Sequence, residues 1–341
     1  MYFTGRQNEK QPPSAGFQIY RLRKKHPGRS TLTNQAVLWT GFAVTLCMMI
    51  TLDLGVFNRK THAVSFREAS AWTTVWVSLA LIFNVGVYIE LGREKALEFL
   101  AGYLIEQSLS VDNLFVFIMI FSYFKISKTL QPKILKWGIL GALVLRALFI
   151  VAGIDLIQRF TWTIYLFGGV LIITGLKMAF GKEDEIEPEK NLAVRLVKRF
   201  MPITKRLCGD KFFVNRRGIR AATPLFLALV VVESSDVIFA VDSIPAVLSV
   251  TRDPLIVYTS NAFAIMGLRS LYYLLANVMG MFAYLKLGVS FILAFVGVKM
   301  LLAHTAYKIP ILFSLGVILG VLIISVLTSI MFAKKTKPHN G

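Results

Sequence analysis

The sequence predicts an all-α, polytopic membrane protein with about nine transmembrane helices, and three observations carry that prediction. The 341-residue chain is 55% hydrophobic and only 17% charged, with a mean hydropathy of +0.63, a balance that soluble domains rarely reach. Apolar runs of about 20 residues, the length that crosses a hydrocarbon core, recur along it. The same charged landmarks also appear twice in the same order, which points to an internal repeat.

Residues 1–34 are polar and basic, with RLRKKHPGR and Pro12-Pro13, and are expected to be disordered. Two helices follow at 35–57 and 70–91, within a block 35–98. Helices at 99–124, 133–157 and 161–180 make up a first repeat, 99–180. The loop 181–222 opens on GKEDEIEPEK; its later NLAVRLVKRFMPI has apolar residues at helical spacing opposite Arg and Lys, the pattern of an amphipathic helix lying on a membrane. Helices at 223–250, 255–278 and 284–303 form a second repeat, 223–303. A last helix at 309–332 and a basic tail fill 304–341. No cleavable signal peptide is expected, because the first apolar run, starting near Gln35, is too long for an h-region. Lys and Arg placement favours a cytoplasmic C-terminus and an N-terminus on the opposite side.

The repeat rests on spacing. Asp112 precedes Arg146 by 34 residues and Asp236 precedes Arg269 by 33; Lys177 follows Arg146 by 31 and Lys299 follows Arg269 by 30. SVDNLFVF also matches SSDVIFAV. Three helices per copy is an odd number, so the second copy should be inverted in the membrane, and carriers built this way place their site at the repeat interface.

Five carboxylates lie inside two of the apolar segments: Glu106 and Asp112 in the third, and Glu233, Asp236 and Asp242 in the sixth. Each costs roughly 2.5 kcal/mol at bilayer depth on insertion scales, so five demand a shared polar task. Glu106, Ser110 and Asn113 form one stripe at i, i+4, i+7, with Asp112 beside it. Glu233 and Asp236 share a helical face, whereas Asp242, nine residues beyond Glu233, points away from them on an unbroken helix. Unwinding around Ser243–Pro245 would bring it back and free carbonyls as ligands. Carboxylates with Asn and Ser suit a hard divalent cation or a relayed proton. Asn261 is a candidate neutral ligand. Asp53, inside ITLDLGVF, is a candidate for a supporting role. Arg146 and Arg269 either neutralise carboxylates or anchor helices through backbone carbonyls, the second being favoured. Lys177 and Lys299, near helix ends, are expected to snorkel to the interface.

The net charge of +19 does not indicate nucleic-acid binding, because the basic residues sit in tails and loops, where the positive-inside bias and anionic lipid explain them. Cys47 and Cys208 form no CxxC pair, and the four histidines are unclustered, which disfavours a zinc site. No nucleophile–base set or phosphate loop suggests an enzyme, and no cofactor is expected.

EFLAGYLIEQSLSVDNLFVFIMIFSYF, WGILGALVLRALFI, YLFGGVLIITGLKMAFG and VVESSDVIFAVDSIPAVLSVTRDPLIVYTSNAFAIMGLRSLYYLLA resemble the TerC family of membrane proteins, and with DLGVFNRKTHAVSFREA they are similar to its Alx branch. The resemblance implies the inverted three-helix repeats of LysE-type exporters, manganese efflux across a bacterial inner membrane, and a link to tellurium resistance. It maps the family's transmembrane acids onto Glu106, Asp112, Glu233, Asp236 and Asp242. The expected cargo is therefore Mn²⁺, with Asp112 and Asp236 as central ligands supported by Glu106, Asn113, Glu233 and Asp242, and with protons as a possible counter-ion. Mg²⁺ or Ca²⁺ export and a non-transporting accessory factor are the alternatives.

Overall fold

The computed structural model describes residues 28–56, 65–180, 191–204, 206–216, 218–278, 285–305 and 307–331. The expectations for residues 1–27, the GKEDEIEPEK opening and the C-terminal tail lie outside these. The described helices are α1 (Gly28–Val56), α2 (Phe66–Leu91), α3 (Arg93–Tyr123), α4 (Gln131–Arg159), α5 (Thr163–Phe180), α6 (Leu192–Phe200), α7 (Pro224–Leu248), α8 (Pro254–Val278), α9 (Leu285–Leu301) and α10 (Ile311–Met331), with a short hairpin of β1 (Phe213–Arg216) and β2 (Ile219–Ala222) before α7. Among the described residues, seven helices are long and apolar enough to cross a membrane. The fold is all-α apart from that hairpin. α8 and α9 occupy the places of the predicted seventh and eighth segments but fall outside the seven; α9 has 17 residues, and α8 carries buried Thr259, Ser260, Asn261, Arg269 and Ser270.

Helix ends follow local chemistry more than hydropathy. α1 begins at Gly28, so 28–34 extend a helix instead of belonging to a disordered tail. α2 starts at an N-cap serine, the Ser65 hydroxyl accepting the Glu68 amide at 3.3 Å. α2 and α3 are separated by one residue, Gly92, at φ 90° and ψ 178°, a backbone conformation open essentially to glycine alone. α4 turns Val144, Leu148 and Val151 outward, each about two-thirds or more exposed, an apolar stripe suited to lipid.

Three antiparallel contacts join α3, α4 and α5 to α7, α8 and α9. The start of α3 meets the end of α7, where the Thr251 hydroxyl donates to Glu98 Oε2 at 2.5 Å and Lys95 lies 3.5 Å from Asp253. The end of α3 shares a groove with the start of α7 through Tyr123, Phe124, Pro224 and Leu227. The start of α4 meets the end of α8, Tyr272 donating to Gln131 Oε1 at 3.0 Å. α5 and α9 pack through small residues: a Cβ on Gly297 would stand 2.7 Å from the Gly168 carbonyl, and one on Gly175 would stand 2.7 Å from the Ser290 carbonyl. Backbone is the obstacle in both places, so the close approach requires glycine. Gly297→Ala is expected to force the helices apart and cost about 1–3 kcal/mol, read as a lower melting temperature of the detergent-solubilised protein.

Two apolar clusters flank the centre. One packs Phe83, Phe99 and Phe263 from α2, α3 and α8 in tilted and edge-to-face contacts, with ring centroids 5.0–6.1 Å apart. The other packs Ile105 and Leu109 of α3 with Ile150 of α4, Ile244 and Val247 of α7 and Val289 of α9. α7 runs unbroken through Pro245, which corrects the expected unwinding around Ser243–Pro245. Ser243 to Leu248 are all buried, and packing from neighbouring helices holds the segment helical despite one lost hydrogen bond. In the loop, α6 is capped by Asn191, whose side chain accepts the Ala193 and Val194 amides and ties the helix to Ser234 of α7 at 2.8 Å. Lys133 of α4 holds the following segment through Asp210 at 2.9 Å, and this hydrogen bond keeps the Asp210 carboxyl below its usual range.

Candidate functional site

The centre is built on Arg146. Its helix α4 brings the guanidinium, fully buried, between α3, α7 and α8. Nη1 donates to Glu106 Oε1 in a short ion pair, to Ser243 Oγ at 3.2 Å and to Asn261 Oδ1 at 3.2 Å. Nη2 reaches Asp236 Oδ1 at 3.3 Å. Asn261 closes the ring, its Nδ2 donating to Glu106 Oε2 at 2.9 Å. Four helices thus contribute one polar cluster, and every member of it is buried.

Its hydrogen bonding is incomplete. Asp236 Oδ2, Arg146 Nε, Ser110 Oγ and Asn113 Nδ2 are buried without a partner, although such groups normally find one. Ser110 and Asn113 lie on the stripe of α3 that carries Glu106. Two carboxylates also face one guanidinium, so when both are ionised one negative charge is left over in a low-dielectric setting. Chemically the cluster is suited to accept one more positive charge, as a proton or a cation bound through oxygen.

The other acids are placed separately. Glu233 is half-buried, its carboxylate lying over Gly141 of α4, where a Cβ would stand within 2.1 Å of Oε1; it is on the same side of α7 as Asp236. Asp242 turns away, as an unbroken helix requires, and accepts from the Thr174 hydroxyl of α5 at 3.0 Å. Asp112 is half-buried further along α3. Among the described residues no three His, Cys, Asp or Glu side chains are grouped so as to hold a metal ion; the six expected ligands do not converge in this conformation.

Arg269 makes a second buried centre. It donates to Asp53 Oδ2 at 3.1 Å and to the Asp53 carbonyl at 3.4 Å, joining α1 to α8. Asp53 Oδ1 has no hydrogen-bond partner. The anchoring role favoured for both arginines therefore needs correcting for Arg146, which binds side chains throughout, while Arg269 binds both kinds of oxygen. Lys299 also departs from expectation: it is buried, within electrostatic reach of Glu98, and does not snorkel.

Thr174 and the contact of Ser243 with Arg146 escape a reading that follows charge alone. Spacing carries a signal for Ser243. Glu106, Asp112 and Asn113 on α3 have the same separations as Asp236, Asp242 and Ser243 on α7. That register sets Glu106 opposite Asp236, the two acids that meet at Arg146, whereas matching SVDN to SSDV sets Asp112 there.

These features define an integral membrane protein with a buried charged centre held between its helices. The chain belongs to the TerC family: the family described as "Integral membrane protein TerC family" matches residues 91–337. It is 50% identical over 294 residues to the uncharacterized membrane protein STKORF319 of Myxococcus xanthus, covering 86% of this chain and 92% of that one. It is 46% identical over 313 residues to the protein named "Putative membrane-bound redox modulator Alx" of Photorhabdus laumondii, covering 89% and 98%, and 48% identical over 298 residues to the protein of the same name from Escherichia coli K12, covering 85% and 92%. No solved structure matches the chain.

Proposed function

We propose that this protein exports a divalent cation, with Mn²⁺ as its cargo, across a bacterial inner membrane by alternating access. The observation that carries this reading is the buried cluster of Glu106, Asp236 and Asn261 around Arg146, a set of hard oxygen donors whose negative charge exceeds its positive charge. In the conformation described, Arg146 occupies the carboxylates. An incoming cation displaces the guanidinium, and Asp236 Oδ2 is already without a hydrogen bond. Oxygen donors without thiolate or imidazole suit Mn²⁺, and also Mg²⁺ and Ca²⁺. Asp112, Asn113, Glu233 and Asp242, on the same two helices, serve as further ligands or relay sites once the helices shift. Protons returning to the carboxylates compensate for the departing metal.

The antiparallel contacts of α3 with α7, α4 with α8 and α5 with α9 are those that two inverted three-helix repeats produce, and they support rocking of one repeat against the other around the cluster. The excess of Lys and Arg in the loops on one side supports a cytoplasmic C-terminus. A second reading, an accessory factor in redox or metal homeostasis without transport, is favoured by the name carried by the Alx relatives.

Mn²⁺ flux into proteoliposomes separates the two. Glu106→Gln and Asp236→Asn are each expected to lower flux at least about tenfold, since even residues behind a metal ligand carry effects of that size. Asp155→Asn, at an exposed pair with Arg159, should leave flux unchanged. A folded wild-type protein that moves no metal would establish the accessory reading.

A further inference from the structure

A groove of about 460 Å³ opens where the end of α3, the start of α7 and α6 come together. Tyr123, Phe124, Val194 and Ile203 give it apolar and aromatic walls; Lys125 and Lys198 are its basic lining residues, and among the described residues no carboxylate lines it. Both flanking helices belong to the seven that are long enough to span, and the groove is at their ends, so it lies at membrane-boundary depth. Beside it α6 turns Leu192, Leu196 and Phe200 outward at i, i+4, i+8, between 56% and 79% exposed, with Arg195 and Arg199 also exposed on the same helix.

Lys125 adds an independent observation. α3 ends in a Schellman turn, with Ile126 N–H bonding the Phe121 carbonyl at 2.9 Å and Lys125 N–H the Ser122 carbonyl at 3.1 Å. The C′ residue of such a turn takes a left-handed backbone, and glycine usually fills it. Here Lys125 does so at φ 51°, the one non-glycine residue with positive φ among those described. A lysine in this position carries a backbone cost that glycine would avoid, and strained residues of this kind cluster where ligands bind. What it gains is an ammonium at the mouth of the groove.

We propose that this groove binds the headgroup of an anionic phospholipid. The phosphate sits against Lys125 and Lys198, Tyr123 lies at headgroup level as interfacial aromatics do, and the acyl chains run along the exposed stripe of α6. The site is on the side of the protein that carries Lys128, Lys133 and the basic residues of α6, the side the charge rule assigns to the cytoplasmic leaflet, where anionic lipid is available. The inference depends on the protein spanning a membrane and not on what it transports.

The test uses the full-length protein in a maltoside detergent, its melting temperature measured with added phosphatidylglycerol, phosphatidylcholine or glycerol phosphate. Phosphatidylglycerol is expected to raise the melting temperature of wild type, and the other two are not. Lys125→Gly with Lys198→Gln should weaken the phosphatidylglycerol response at least about tenfold in lipid concentration. Without lipid that variant should melt no lower than wild type, because glycine suits the turn. Lys125→Arg should retain the response. An equal response to phosphatidylcholine, an equal response to glycerol phosphate, a double variant that still responds fully, or a lipid-free variant that melts below wild type would each overturn the proposal.

Discussion

Replacing Arg146 by methionine is expected to lower stability by roughly 3–5 kcal/mol, the cost of removing one partner from a buried ion pair. The guanidinium is fully buried and binds two carboxylates, a hydroxyl and an amide on three other helices. Without it, Glu106 and Asp236 become two buried negative charges with no counter-charge between them. The loss should be greatest at neutral pH and shrink as pH falls, since protonation removes the charge that the variant cannot balance. Millimolar Mn²⁺ should raise the melting temperature of the variant more than that of wild type if the carboxylates accept metal in place of the guanidinium. A variant that melts like wild type at neutral pH would show that water reaches the cluster and that Arg146 is not what holds it together.

Arg269→Leu is expected to be comparably damaging, again roughly 3–5 kcal/mol, because it strands Asp53 with neither carboxylate oxygen hydrogen-bonded. Adding Asp53→Leu should recover much of that loss, since a buried pair replaced by apolar groups is often neutral or better. A double-mutant cycle by chemical or thermal unfolding in detergent measures the coupling. The exposed pair Arg159–Asp155, at 2.8 Å with side chains 70% and 53% exposed, is the contrast; breaking it should cost less than about 1 kcal/mol. Equal costs at the two pairs would mean that α1 does not close over Arg269 as described.

The membrane class and the cluster's acids were legible because intramembrane charge is costly enough to stand out in a sequence. Glu106, Asp236 and Arg146 could each be picked out on those grounds, and Asn261 as a neutral oxygen donor in an apolar run. Their mutual arrangement could not. Whether an arginine bonds a backbone carbonyl or a carboxylate depends on which helices pack, and the pairing of Arg146 with Glu106 requires α4 to lie beside α3 while also touching α7 and α8. Helix periodicity gave the right direction for Asp242 on a straight helix, but proline's local preference suggested a break that tertiary packing around Ser243–Leu248 prevents. The start of α1 and the hairpin before α7 were missed for a related reason: the polar residues 28–34 carry no apolar signal and short-range strand pairing sets the hairpin, and hydropathy is blind to both. The Glu98–Thr251 contact joins residues 153 apart, a distance over which no local pattern speaks.

Gly92 alone connects α2 to α3, and one residue spans only about 3.5 Å. A joint that short can bend but cannot slide. If α3 tilts to expose Glu106 and Asp112 to one side of the membrane, α2 is dragged with it, and α2 is packed against α8 through Phe83 and Phe263. The leading pair of helices, outside both repeats, is therefore geared to the moving parts and sets how far they can travel.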